Sequence, residues 1–191
     1  MPGTLYGNRQ YREVPMSVLK LEVSPAPAPT AVVRLQGNYH LVATELLRPG
    51  QRILCFEGEL RPRPSRFSLQ VDVDLHLEVP AGTDLETILD RYAWRCLNHS
   101  CDPSAVIRGR ELIARRRIEP WHEVTFDYDC TEYDMAEPFQ CRCGSARCRG
   151  LIRGFRHLTP AQRWRYRGRL ADYLRPGHVP EQELRGMGTS A

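Results

Sequence analysis

The chain has 191 residues, of which 41% are hydrophobic and 26% are charged, which predicts one globular domain with at most a small appendage. No run of ~18 apolar residues occurs, so a transmembrane helix is excluded and no membrane partner is expected. The polar N-terminus lacks the apolar stretch of a secretory signal, and seven cysteines, an odd number, do not suggest a disulfide framework. We therefore expect a cytoplasmic protein, or a nuclear one if the source is eukaryotic.

The first half of the chain is predicted to be β-rich. Residues 1–30 are polar and end in SPAPAPT, which indicates an N-terminal extension with an extended, Pro-rich connector. Residues 31–60 alternate short apolar runs with turn residues, as short strands do. Strict alternation over residues 68–79 predicts a half-buried strand or strand pair, followed by a short helix from Asp84. The predicted apolar face of that strand or strand pair carries Leu69, Val71, Val73, Leu75, Leu77 and Val79.

The second half has two more β-rich runs, within residues 106–128, and then a predicted helix. Residues 156–177 are assigned to this C-terminal helix because Thr159-Pro160-Ala161-Gln162 fits a capping box. Pro176-Gly177 is expected to end it, and residues 178–191 are expected to form a flexible tail.

Arginine supplies almost all of the positive charge. Lys20 is the one lysine among 27 basic residues, and the net charge is +4. Eight arginines lie from Arg149 to Arg175, where Asp172 is the one acid. Two interpretations stay open: this segment binds nucleic acid or an acidic partner, or it is a solvated face rich in the basic residue that the genome favours.

Three cysteines lie close together in the sequence CRCGSARC, at Cys141, Cys143 and Cys148. A structural zinc site needs four ligands, so this cluster requires one remote ligand. Cys101 is the strongest candidate for it, with His99 and His157 as rivals. The remaining cysteines lie in apolar or strand-like settings and are expected to pack as small hydrophobic residues: Cys55, Cys96 and Cys130.

Three segments together resemble the motifs of SET-domain protein lysine methyltransferases. Residues 95–103, RCLNHSCDP, resemble the family's R-F-x-N-H-S-C-x-P motif, and residues 123–128, EVTFDY, resemble its E-L-T-F-D-Y strand. Residues 141–150, CRCGSARCRG, resemble its post-SET zinc motif, and Phe56-Glu57-Gly58-Glu59 resembles its Y-x-G-E strand. The segments occur in the family's order, and the chain looks like the stand-alone SET proteins of bacteria.

The resemblance implies a mostly-β fold of small curved sheets with a pseudoknot, in which the NHSC segment is threaded beside the FDY strand. Residues 31–138 would form the SET domain and residues 139–155 the post-SET zinc segment, before the C-terminal α-helix. The implied cofactors are S-adenosylmethionine and a structural Zn²⁺. The implied activity is methyl transfer to the ε-amine of a lysine in a protein or peptide.

Site residues follow from the resemblance position by position. Tyr128 matches the catalytic tyrosine, and Phe126 matches the position that tunes how many methyl groups are added, which implies a di- or trimethyl-lysine product. The implied cofactor-binding residues are Asn38, Tyr39, His40, Arg95, Asn98 and His99. Asn38 and His40 stand in the segment where the family usually has a glycine-rich loop.

Six acids and no lysine or arginine occur from Trp121 to Phe139, around Tyr128. This stretch either attracts a cationic substrate or is a solvated acidic loop that balances the nearby run of Arg115, Arg116 and Arg117. Two other functions remain as alternatives to a lysine methyltransferase: a SET-fold enzyme acting on a small molecule or carrier-bound intermediate, and a binding module without catalysis.

Overall fold

The computed structural model describes residues 22–25 and 29–175, and this part of the chain is built mostly from short strands. Its two α-helices are α1, Leu85–Arg91, and α2, Pro160–Tyr166. The strands are β1 Glu22–Pro25, β2 Thr30–Leu35, β3 Asn38–Ala43, β4 Arg52–Cys55, β5 Glu59–Arg61, β6 Leu69–Asp72, β7 Leu75–Glu78, β8 Asn98–His99, β9 Ala105–Arg108, β10 Glu111–Ala114, β11 Thr125–Phe126, β12 Phe139–Gln140 and β13 Leu151–Ile152.

The strands form five small sheets, which confirms the predicted mostly-β fold. Three sheets have three antiparallel strands each, in the orders β1-β2-β3, β4-β10-β9 and β5-β7-β6. The pair β12-β13 is antiparallel, whereas β8-β11 is parallel and joins segments that are distant in sequence. No helix in the described residues is both long enough and apolar enough to cross a membrane.

The β2–β3 hairpin places the predicted cofactor loop. Its two-residue turn is Gln36-Gly37, and both residues have positive φ, 51° and 82°. Such turns match the twist of the flanking strands, and glycine adopts positive φ without steric cost. Asn38 is therefore the first residue of β3, and Leu41 is fully buried in the main core.

Residues 69–78 form a strand pair rather than one strand. Asp74 has a φ of 53° in the turn between β6 and β7, and Val73 beside it is 48% exposed. The predicted apolar face is therefore wrong at Val73, because the hairpin turn interrupts the alternation. Gln70 is buried instead, where its side chain accepts a hydrogen bond from the Tyr133 backbone N–H (2.7 Å) and donates one to the Asp72 carbonyl (3.1 Å).

The main core fills the space between the three larger sheets and α1. Asp84 caps α1 by accepting a hydrogen bond from the Thr87 backbone N–H, which confirms the predicted helix start. Phe56 packs edge-on against Trp94, with ring centroids 6.3 Å apart. Gly58 is required next to Phe56, because a Cβ there would clash with the Glu78 carbonyl oxygen of β7.

The C-terminal segment packs as a second, smaller core. α2 begins with the predicted capping box of Thr159 and Gln162, but it ends at Tyr166, well before the predicted boundary at residue 177. Gly168 follows soon afterwards, and glycine is a poor helix former. The chain then turns back, and the Ala171 backbone N–H donates to the Cys130 carbonyl. This core contains Cys130, Phe155, Leu158, Tyr166, Leu170, Ala171, Tyr173 and Leu174.

The predicted N-terminal extension and connector overlap the described residues only in part. Ser24 and Pro25 belong to β1, where they pair with Val32 and Ala31, so this portion of the predicted connector is a strand. The other predicted features of the two ends lie outside the described residues. They are most of the extension at 1–30, the helix stop at Pro176-Gly177 and the tail at 178–191.

Candidate functional site

Parallel pairing of β8 with β11 brings two sequence motifs together. Asn98 lies opposite Thr125 and His99 lies opposite Phe126, and the Ser100 backbone N–H donates to the Phe126 carbonyl at 3.0 Å. Parallel strands need a long connection, which here is the chain between the two motifs. Residues about 27 positions apart in sequence therefore share one site.

The four predicted cysteines form one cluster. The Sγ atoms of Cys101, Cys141, Cys143 and Cys148 all lie within 4.8 Å of one another, and those of Cys101 and Cys141 are 3.9 Å apart. Tetrahedral zinc at about 2.3 Å from each sulfur separates the sulfurs by about 3.8 Å, so the cluster can hold a structural zinc. The rival ligand His157 instead contacts Asp134 at 2.9 Å.

Backbone donors support this sulfur cluster. The Arg149 backbone N–H donates to the Cys101 Sγ, and the Cys143 backbone N–H donates to the Cys141 Sγ, each at 3.4 Å. Burial raises the pKa of Cys101 well above its usual range and that of Cys141 to about 12. Thiolates at these positions therefore need a compensating cation, which a divalent metal supplies.

His99 connects the sulfur cluster to Tyr128. The Tyr128 backbone N–H donates to Nδ1 of His99 at 3.1 Å, so Nδ1 carries no proton. The proton of the neutral ring is then on Nε2, which lies 3.3 Å from the Cys101 Sγ. Burial, together with the nearby Arg149 charge, lowers the pKa of His99 to about 3, in keeping with this neutral ring. His99 therefore connects Cys101 of the cysteine cluster with Tyr128 through its two ring nitrogens.

A larger pocket of about 490 Å³ lies on one side of Tyr128, in the size range of small-molecule sites. The predicted residues Asn38, His40, Asn98 and His99 line it. Charged side chains of both signs also line it: Asp102, Glu119, Glu123, Arg116 and Arg117.

A hydrogen-bonded network holds the polar wall of this larger pocket. Asn98 donates through Nδ2 to the Glu123 carboxylate at 2.8 Å and to the Tyr39 carbonyl at 2.9 Å. The same Glu123 oxygen lies 2.7 Å from Nδ1 of His40. Tyr39 thus contributes through its backbone, and its side chain is not part of the pocket lining. His122 also lines the pocket, and its buried Nδ1 has no hydrogen-bond partner among the described residues.

A smaller pocket of about 90 Å³ lies on the other side of Tyr128. Arg95 lines this pocket rather than the larger one, and its guanidinium lies 3.6 Å from the centroid of the Phe67 ring. The structure therefore does not bring Arg95 together with the other predicted cofactor-binding residues. Aromatic and aliphatic residues share the remaining walls with charged ones: Leu69, Trp94, Leu97, Phe126 and Met135 on the one hand, Arg66, Glu132 and Glu137 on the other.

Tyr128 lines both pockets. Its hydroxyl donates to the Leu97 carbonyl at 2.8 Å, and its ring packs against Phe126 with centroids 4.6 Å apart. Burial and the nearby carboxylates of Glu132 and Glu123 raise the pKa of Tyr128 above its usual range. The phenol is therefore protonated at neutral pH and acts as a hydrogen-bonding group, not as a base.

Most acids of the 121–139 stretch have cationic partners. Arg149 pairs with both Asp127 and Asp129 in a buried cluster, and Asp134 pairs with Arg156. Glu123 contacts His40, and Glu137 lies 3.5 Å from Arg66. The prediction that the arginines at 115–117 balance the charge of this acidic stretch is wrong, because their side chains pair with Asp102 and Glu119 instead.

The arginines of the C-terminal segment are largely engaged in internal contacts. Arg169 donates to the Cys101 carbonyl at 3.0 Å, and Arg149 lies within the buried cluster with Asp127 and Asp129. Arg163 stacks on Phe155, and Arg175 pairs with Asp172. These four arginines fit neither interpretation of the segment, since they contact other parts of the chain rather than forming a free basic surface or a solvated face.

Sequence reasoning missed several lining residues. Phe139 packs against both His99 and Tyr128, with ring centroids 5.8 and 5.9 Å away, and its position just before the cysteine motif is a usable signal. Phe67 and Trp94 gave no such signal, because the sequence does not show that the segments at 65–69 and 94–97 meet.

The chain was compared with known proteins. A family model described as SET domain matches residues 38–129. A histone-lysine N-methyltransferase, H3 lysine-4 specific, of Cryptococcus neoformans is 42% identical over 131 residues, which is 60% of this chain and 9% of that protein. Methyltransferase flvH of Aspergillus flavus is 40% identical over 73 residues, which is 36% of this chain and 41% of that protein. The chain thus spans less than half of the length of either relative.

Among solved structures, KRYPTONITE in complex with mCHH DNA, H3(1-15) peptide and SAH resembles this chain with a TM-score of 0.44 and 21% identity, over 69% of this chain and 29% of that one. The match to the SET-domain model includes the two paired motifs at 98–99 and 125–126. Residues 38–129 of this chain therefore match the SET domain.

Proposed function

We propose that this protein is an S-adenosylmethionine-dependent methyltransferase that modifies the ε-amine of a lysine in a protein or peptide. The observation that carries the proposal is the position of Tyr128, which matches the family's catalytic tyrosine and lines both the larger and the smaller pocket. Curated relatives named histone-lysine N-methyltransferases support the choice of lysine.

The larger pocket suits the cofactor. S-adenosylmethionine supplies an electrophilic methyl group on a sulfonium and also carries an ammonium, a carboxylate and an adenosine. A volume of about 490 Å³ with carboxylates and guanidiniums in its lining suits a ligand that bears both charges. Asn38, His40, Asn98 and His99 would hold the cofactor there, and Glu123 orients Asn98.

The smaller pocket suits an unbranched amine. Its volume of about 90 Å³ and its aromatic walls leave room for a lysine side chain but not for a bulky small molecule. An aromatic channel also disfavours the charged form of the amine, which helps because neutralising a lysine of pKa near 10.4 at neutral pH costs about 4–5 kcal/mol. The alternative of a bulky non-lysine substrate is thus less favoured.

Tyr128 and its neighbours would orient the amine. A protonated phenol fixed by its hydrogen bond to Leu97 can accept a hydrogen bond from the amine while its ring restricts the path between the pockets. Phe126, without a hydroxyl, leaves room beside the amine, which supports addition of more than one methyl group. Orientation of this kind lowers the barrier without acid or base chemistry by the phenol.

The test is methyl transfer from isotope-labelled S-adenosylmethionine to a histone H3(1–15) peptide and to a mixture of basic proteins, followed by mass spectrometry. We expect label on lysine with wild-type protein and a loss of about 100-fold in turnover for Tyr128→Phe. Tyr92→Phe is the matched control, since Tyr92 lines neither pocket. Wild-type protein that binds the cofactor but labels no lysine in any substrate would contradict the proposal.

A further inference from the structure

Positive charge is concentrated in the C-terminal part of the chain. Residues 140–175 contain ten arginines, no lysine and one acid, Asp172, so this segment has a net charge of +9. The whole chain has a net charge of +4, so all its other residues together carry −5. Such an asymmetry indicates a polyanionic partner where the positive charges are exposed and unpaired.

Three arginines in or beside α2 meet this condition. Arg153, Arg165 and Arg167 are exposed, and none of them forms an ion pair with an acid in the part of the chain that the structure describes. Arg153 precedes the turn that packs beside α2, where the Arg163 guanidinium lies 4.5 Å from the centroid of the Phe155 ring. The three unpaired arginines therefore belong to two segments that pack against each other.

An exposed tryptophan lies among these arginines. Trp164 of α2 is 69% exposed, more than any other large hydrophobic residue in the described part of the chain. The Arg167 guanidinium lies 4.2 Å from the centroid of the Trp164 ring, and the same side chain donates to the Trp164 carbonyl at 3.0 Å. This stacking holds a positive charge against the indole and leaves most of the ring accessible to solvent.

An accessible indole beside unpaired guanidiniums fits a single strand of nucleic acid. Phosphates are neutralised by the guanidiniums, and an unpaired base stacks on the aromatic ring. The bases of a duplex are already stacked on one another, so a duplex would leave the indole without a partner. An acidic peptide would match the charge but offers no planar base for Trp164.

We propose that Arg153, Trp164, Arg165 and Arg167 form a binding surface for single-stranded nucleic acid, in which one base stacks on Trp164. None of these four residues lines the larger or the smaller pocket. Binding at this surface is therefore independent of the proposed methyl transfer.

Fluorescence anisotropy of a labelled oligothymidylate of about ten nucleotides tests this inference on the full chain, with an abasic strand of the same length as the match that keeps the phosphates. Wild-type protein should bind the oligothymidylate saturably and the abasic strand about tenfold more weakly. The logarithm of the association constant should fall with the logarithm of the salt concentration with a slope of about −2, as expected for three phosphate contacts on a single strand.

Two pairs of variants separate stacking from charge. Trp164→Ala should bind oligothymidylate about tenfold more weakly and the abasic strand as wild type does. Its control is Trp121→Ala, which removes another exposed tryptophan and should change neither. Arg165→Gln should weaken the binding of both strands and reduce the steepness of the salt slope by about 0.7. Arg52→Gln is the matched control, because Arg52 is exposed but pairs with Glu111.

Three results would overturn the inference. They are a lack of saturable oligothymidylate binding, equal binding of the two strands by wild type, and unchanged oligothymidylate binding by Trp164→Ala. An oligoglutamate of the same charge that displaces the oligothymidylate with equal affinity would also overturn it, because the surface would then recognise acidic groups without a base. The comparison of the two strands by wild type holds even if a variant does not fold.

Discussion

The larger and the smaller pocket meet at Tyr128 but are built from different kinds of residues. The larger pocket has polar walls from β3, β8, β11 and the cysteine segment, held by the network of Asn98, His40 and Glu123. The smaller pocket has aromatic and aliphatic residues in its walls together with Arg66, Arg95, Glu137 and Glu132, and Glu132 forms no ion pair among the described residues. The difference shows that one side is suited to hold a polar ligand by many contacts, and the other to admit a narrow chain.

The four-cysteine cluster contributes to the lining of only one of the two pockets. Cys141, Cys143 and Gly144 line the larger pocket, whereas no cysteine lines the smaller one. His99 also links Cys101 to Tyr128. Loss of a metal from the cysteine cluster should therefore disturb the position of Tyr128 together with the larger pocket. The predictions below test this asymmetry.

The largest expected effect comes from removing a metal ligand. Cys101→Ser should abolish stoichiometric zinc binding and lower the free energy of unfolding by about 5 kcal/mol, since metal binding and folding are coupled. Cofactor binding in the larger pocket should be lost with it. Zinc analysis, thermal unfolding and calorimetric titration with S-adenosylmethionine measure these effects.

Cys55→Ser is the control for the ligand substitution, because Cys55 is exposed and outside the cluster. It should retain one zinc per chain. Stoichiometric zinc in Cys101→Ser, with unchanged thermal unfolding, would show that the four sulfurs do not act as one site.

The next effect concerns the polar wall of the larger pocket alone. Asn98→Ala removes the donor to Glu123 and to the Tyr39 carbonyl, and we expect cofactor affinity to fall about 10- to 100-fold. The KM for the H3(1–15) peptide, measured at saturating cofactor, should stay within about twofold of wild type. Calorimetric titration measures the first quantity and steady-state methyl transfer the second.

Gln51→Ala serves as the comparison for Asn98→Ala, because the Gln51 side-chain oxygen accepts from the Arg48 backbone N–H and Gln51 lines neither pocket. A loss of cofactor affinity in both variants would indicate a general loss of stability. A raised peptide KM in Asn98→Ala at saturating cofactor would indicate that the two pockets are not independent.

Local features of the fold could be predicted from the sequence. The capping box at Thr159 and the cap at Asp84 depend on residues within one helical turn, and the structure has both. The three cysteines of CRCGSARC are also local, and the resemblance to the family supplied the remote motifs that meet them. The end of α2 at Tyr166 could not be predicted, because packing of the following residues against Cys130 overrides a helical pattern.

The charge state of the site depended on contacts that the sequence does not show. Six acids near Tyr128 were evident, but their partners come from positions as distant as His40 and Arg66. Glu132 can be distinguished from the other five acids only when these partners are known, because it forms no ion pair among the described residues. The location of Arg95 was missed for the same reason. Its neighbour Phe67 lies just before the strand pair, and the alternating pattern of residues 68–79 does not predict where the preceding loop lies.

The smallest expected effect comes from Arg95, which directly tests the difference between the larger and the smaller pocket. The family resemblance implies a role near the cofactor carboxylate, but the structure has Arg95 on Phe67 in the smaller pocket. Arg95→Met should therefore leave cofactor affinity within about twofold of wild type and raise the KM for a lysine peptide by about three- to tenfold, the size of a cation–π contact.

Arg116→Met is the mirror variant, because Arg116 pairs with Asp102 and lines the larger pocket. It should weaken cofactor binding by about three- to tenfold while the peptide KM, measured at saturating cofactor, changes little. If Arg95→Met instead weakens cofactor binding and spares the peptide KM, then the guanidinium acts in the larger pocket. The division of the site at Tyr128 would then be wrong for Arg95, which the structure has in the smaller pocket.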